Sequence, residues 1–62
     1  MTASSDDRFR QLRHDLSNPL SAILAETQLM LLRADTLDQE TVTSLKEIEA
    51  LSRRMREILQ RN

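Results

Sequence analysis

Apolar positions recur along the first half of the chain in steps of three and four: Phe9, Leu12, Leu16, Leu20, Ile23 and Met30, with Thr27 in phase. That rhythm places them on one side of an α-helix. The run Leu29-Met30-Leu31-Leu32 is apolar nearly all round, so that end should be enclosed by other helices. The pattern breaks near Ala34-Asp35-Thr36. It resumes with Val42, Leu45, Ile48, Leu51, Ser52, Met55, Ile58 and Leu59, backed by Lys46, Glu47, Arg53, Arg54 and Glu57. Thr36 followed by Gln39 fits a capping box that opens the second helix. Ser4, Ser5 or Asp6 can cap the first, and Asp6 and Asp7 suit the positive end of its dipole. These signals predict helices over 6–34 and 37–61 in a single 1–62 domain. The connection is so short that the helices must run antiparallel.

Composition reinforces an all-α reading. The chain has no glycine, one proline and a single aromatic residue, Phe9, where a sheet protein would want turn glycines and more aromatic residues. Sixty-two residues bury little surface, and without cysteine no disulfide or thiolate metal site can compensate. One histidine among scattered carboxylates makes a zinc site a poor alternative. Self-association remains. Two copies of the hairpin would close their apolar stripes into a four-helix bundle, a homodimer. The net charge is −1, with both signs interspersed along the chain, which argues against nucleic acid as a partner. No apolar run reaches the roughly 18 residues of a membrane span. Nothing resembles a signal peptide. A cytoplasmic segment without membrane contact is the expectation.

The candidate chemistry lies on the first helix. At about 100° per residue, His14 points away from Phe9, Leu12, Leu16, Ile23 and Met30, and so into solvent. Arg10 and Asn18 lie one turn before and after it on the same face, and Asp15 is adjacent. Ser21, Ala22 and Ala25 continue this outer face with small side chains that leave room for an approaching group. A solvated imidazole is largely neutral at pH 7, and a neutral ring nitrogen is a nucleophile. A neighbouring carboxylate can orient the ring or take up a proton. A carboxamide one turn away can hold a water or a phosphoryl oxygen, and Arg10 supplies charge for a phosphate. A lone surface histidine on a helix is ordinarily without function; the company of Asp15, Asn18 and Pro19 is what gives His14 weight.

Pro19 admits two readings. An interior proline removes a backbone hydrogen bond at a cost of about 3 kcal/mol or more. It therefore suits the first turn of a separate helix capped by Ser17 or Asn18. The unbroken apolar phase from Leu12 through Ile23 instead favours one kinked helix, with the Asp15 carbonyl freed.

His14-Asp15-Leu16-Ser17-Asn18-Pro19-Leu20 resembles the H-box of sensor histidine kinases, and Phe9 and Ile23 suit that family's apolar positions. The likeness covers the whole chain, because the family's dimerisation and phosphoacceptor domain is itself a hairpin that dimerises into a four-helix bundle. The resemblance implies that His14 is the phosphoacceptor and Asp15 the base or orienter. It implies that Asn18 supports water attack on a phosphorylated response regulator, and that Pro19 kinks the helix during signalling. Ser17 departs from a frequent arginine at a variable position, and asparagine at 18 is an accepted variant of the phosphatase motif. The family's ATP-binding domain carries glycine-rich boxes. A chain without glycine holds no phosphate-cradling loop, so it binds no cofactor itself. ATP and Mg2+ would come through a separate catalytic domain, in cis or in trans, and the phosphoryl group would pass to the receiver domain of a response regulator. Two other readings stand beside this one: a phosphorelay module that never takes phosphate from ATP, and a purely structural helical dimerisation segment.

Overall fold

The computed structural model describes residues 5–61 as two α-helices and a short 3-10 turn. Helix α1 spans Ser5–Leu31 and helix α2 spans Gln39–Gln60. They pack as an antiparallel hairpin in a rod of 56 × 15 × 12 Å, with the first turns of α1 extending past the end of α2. Helix α1 runs through Pro19 without interruption, which decides for one helix over two. A proline has no N–H to give the carbonyl of Asp15, four residues back.

The connection differs from the expected capping box. Helix α1 stops at Leu31, three residues before the expected end at 34. The chain then tightens: the N–H of Arg33 bonds the Met30 carbonyl at 3.0 Å and that of Thr36 bonds the Arg33 carbonyl at 2.9 Å. Ala34–Thr36 is a 3-10 turn. Thr36 gives its hydroxyl back to the Arg33 carbonyl at 2.8 Å and lies within the 3-10 turn, not at the start of α2. Asp38 caps α2 instead. Its backbone is extended and its Oδ1 accepts the Thr41 N–H at 3.0 Å, satisfying one of the four orphan donors at a helix start. Helix α2 therefore begins at Gln39 rather than 37 and ends at Gln60 rather than 61. At the other end Asp6 and Asp7 occupy the first turn of α1 as expected. Ser5 is already helical, and the alternative cap at Ser4 lies outside the described residues.

The apolar stripe of α1 resolves into two faces. Leu20, Leu24 and Thr27 are buried against Val42, Leu45 and Ser52, forming a narrow seam between the helices. Thr27 directs its hydroxyl to the Ile23 carbonyl at 2.6 Å, so the seam carries no unsatisfied polar group there. Thr27 and Ser52 are small enough for the two helices to approach closely. A second face of both helices is left open. Leu16, Pro19, Leu20, Ile23, Met55, Ile58 and Leu59 line one apolar groove, and Phe9, Leu12, Met30, Ile48 and Leu51 are exposed. Apolar side chains exposed together on two helices mark a face suited to an interaction.

The Leu29–Leu32 run is not enclosed by the hairpin. Leu31 is half-buried, but Leu29 and Leu32 are 58% and 79% exposed. Two helices give a segment that is apolar all round only one neighbour, which explains the difference from expectation.

Candidate functional site

His14 sits mid-helix on α1 with its side chain 74% exposed, pointing away from both the seam and the groove. Its Nδ1 lies 3.7 Å from Oδ1 of Asp15. That is beyond hydrogen-bonding range, so the carboxylate stands beside the ring without bonding it. The same Oδ1 accepts a hydrogen bond from Gln11 Nε2 at 2.9 Å. Gln11 was absent from the sequence-derived site, although its spacing of four residues before Asp15 is a recognised helical pair. Its amide restrains the carboxylate beside the imidazole. With Nδ1 on the Asp15 side, the ring's Nε2 faces away from the carboxylate.

The other expected residues are also placed. Asn18 is exposed one turn along, and among the described residues nothing bonds its carboxamide. Arg10 is already engaged, 3.6 Å from Asp7, with both side chains exposed; such a surface pair is weak and exchanges readily. Ser17 turns inward and donates its hydroxyl to the Arg13 carbonyl at 2.6 Å, so its role is local to the helix. Ser21, Ala22 and Ala25 are exposed along the same outer face. Pro19 lies on the groove, among Leu16, Leu20 and Ile23, and not beside His14. Among the described residues no group of three or more His, Cys, Asp or Glu side chains is placed to hold a metal. No described helix is long and apolar enough to cross a membrane.

The charges are interspersed along the sequence but not in the fold. Antiparallel pairing sets Met55–Leu59 beside Leu16–Ile23 and Glu49 beside Gln28, whose Nε2 donates to its Oε2 at 3.3 Å. The half of the rod holding His14 therefore comprises residues 5–24 and 53–61. It carries Arg8, Arg10, Arg13, Arg53, Arg54, Arg56 and Arg61 against Asp6, Asp7, Asp15 and Glu57, seven cations to four anions, or +3. The half holding the connection has Arg33 and Lys46 against Glu26, Asp35, Asp38, Glu40, Glu47 and Glu49, or −4. The two halves sum to the chain's −1.

An exposed histidine flanked by an acid, on an antiparallel hairpin with an open apolar face, agrees with what the H-box implied. The family model of the His Kinase A (phospho-acceptor) domain matches residues 5–61. The chain belongs to this family. Comparison with curated proteins and with solved structures found no match. As a His Kinase A domain the chain is a phosphoacceptor element of two-component signalling, and the kinases to which such domains belong are enzymes.

Proposed function

We propose that His14 is the phosphoacceptor of a homodimeric His Kinase A domain. The reading is carried by one observation: the chain's single histidine is solvent-facing, beside a carboxylate held by Gln11. A separate ATP-binding domain, in cis or in trans, presents MgATP. Nε2 of the neutral ring attacks the γ-phosphorus. A P–N bond forms and the bridging P–O bond to ADP breaks. Asp15 stabilises the positive charge that develops on the ring as ADP leaves. A receiver-domain aspartate oxygen then attacks the same phosphorus, the P–N bond breaks, and the imidazole is regenerated. The exposed carboxamide of Asn18 suits a phosphatase step, in which it orients a water toward the receiver's acyl phosphate and inorganic phosphate leaves. The small side chains at Ser21, Ala22 and Ala25 leave the receiver room to approach, and Arg10 exchanges Asp7 for the phosphoryl oxygens.

The open groove supports the dimer. A second copy covering it would extend the narrow seam into a four-helix core. Pro19 then lies at the dimer interface, where bending of α1 couples the two protomers. We place the domain in the cytoplasm, where ATP is available. The test is labelling by γ-labelled ATP with a histidine-kinase ATP-binding domain. Acid-labile label is expected on the wild type and none on His14→Gln. Equal labelling of the two would refute the assignment. Mass in solution is expected to be twice the chain mass; a stable monomer would remove the dimer and favour a relay-type module.

A further inference from the structure

The antiparallel fold brings the arginine-rich end of α2 into the same half of the rod as His14. Arg53, Arg54, Arg56 and Arg61 reach the His14 half only because α2 returns antiparallel to α1. Arg53 bonds Glu49 at 3.3 Å, and Glu49 in turn bonds Gln28. Gln28 shares a flank of α1 with Arg10 and His14, since positions 10, 14 and 28 fall within about 40° at ~100° per residue. Arg53 thus lies on the His14 side of α2. Arg54, Arg56 and Arg61 are exposed, and among the described residues none of them is in an ion pair. Of the acidic half, Glu49 engages Arg53, which leaves the charges of Arg54, Arg56 and Arg61. The rod is 56 Å long, several times the Debye length of about 8 Å at physiological salt, so the ends act as separate fields.

We propose that this arginine-rich end is an electrostatic docking surface for an acidic protein face, borne by the partner that exchanges the phosphoryl group with His14. The proposal rests on the phosphoacceptor reading and adds the partner's chemistry to it. The groups that meet His14 in that reading, a triphosphate and a carboxylate, are anionic, so a positive surround lowers the work of bringing them in. In the dimer the two basic ends double the field. Nucleic acid fits less well. Phe9 is the only aromatic residue, so stacking platforms for bases are lacking. Asp7 and Asp15 interrupt the cations on the face of His14 itself, where a phosphate backbone would need a continuous stripe.

The test uses the whole chain with poly-L-glutamate as the acidic probe, followed by amide NMR at 20 mM and 300 mM salt. Shifts are expected around His14 and over residues 53–61 at low salt, weakening at high salt. The variant Arg54→Gln/Arg56→Gln/Arg61→Gln should lose them, and Glu40→Gln/Glu47→Gln at the other end should keep them. For phosphoryl transfer from His14 to a receiver domain, the arginine variant should be about tenfold slower at low salt, within the range of electrostatic steering, and equal to wild type near 1 M salt. Three results would overturn the proposal: no binding of the probe, tighter binding of duplex DNA than of poly-L-glutamate, or a low-salt mass beyond the dimer, which would mean that the basic end meets another copy's acidic end. Absence of phosphate on wild-type His14 alongside normal probe binding would instead remove the phosphoacceptor reading and leave the acidic-partner surface standing.

Discussion

The two ends of this hairpin are built on opposite plans. At the connection the chain is closed by local hydrogen bonds: a 3-10 turn over Ala34–Thr36, the Thr36 hydroxyl on Arg33, and Asp38 capping α2. Its charge is negative. At the His14 end the backbone lacks a hydrogen bond at Pro19, the apolar groove stands open, and arginines dominate. The contrast lies in backbone and charge: the connection satisfies its own hydrogen bonds, whereas the His14 end leaves cations unpaired, and exposed apolar side chains occur at both. Orphan backbone groups satisfied within the chain have no need of a partner. Exposed apolar surface and unpaired cations are left for one.

The largest effect belongs to the chemistry. His14→Gln should abolish acid-labile labelling altogether while circular dichroism and dimer mass stay unchanged. A fall in helicity would mean that His14 serves the fold, and the contrast between the ends would fail.

Next come two leucine-type sites that the fold treats differently. Ile23→Glu puts a charge in the groove and should convert the dimer to monomer at micromolar concentration, as read by sedimentation. Leu29→Glu, on the outer face of α1 with His14, should leave dimer mass and helicity intact and slow transfer to a receiver domain. Dissociation of the dimer by Leu29→Glu would move that residue into the bundle.

Pro19→Ala restores a donor to the Asp15 carbonyl. It should stabilise the helix by up to about 3 kcal/mol, measured as a raised unfolding midpoint, and should make α1 less able to bend. Unchanged stability would show that the groove already compensates for the missing bond.

The smallest effect is at the cap. The side-chain and then the backbone hydrogen bond with Thr41 hold the Asp38 carboxyl below its ordinary 3.8. A carboxyl whose pKa is lower in the folded chain stabilises fully above its unfolded value, and the contribution fades as pH falls through the folded one. Asp38→Ala should therefore lower the helicity of α2 at pH 7, with the difference from wild type narrowing below pH 3.8. Asp38→Asn keeps an acceptor for Thr41 and should lose no helicity over the same range.

Much of this could be read in one dimension, because helical structure follows local rules. The three-and-four spacing, the absence of glycine and the early acids specify two helices. The spacing of Arg10, His14 and Asn18 puts them on one face whatever the helix packs against. Even the restraint of Asp15 by Gln11 is a matter of four-residue spacing. The connection was less legible, since Thr36 and Asp38 are both competent caps and their order is decided by how tightly α1 unwinds after Leu31. Two features needed the tertiary structure. The single apolar stripe split into a buried seam and an open groove, because one neighbouring helix covers only part of a broad apolar face. The mixed charges sorted into a basic and an acidic end, because antiparallel return places Arg53–Arg61 in the same half of the rod as His14. Sequence alone determined where His14 points and what stands next to it on its helix; the fold decided which residues of the other helix share its half of the rod, since charge density depends on proximity in space.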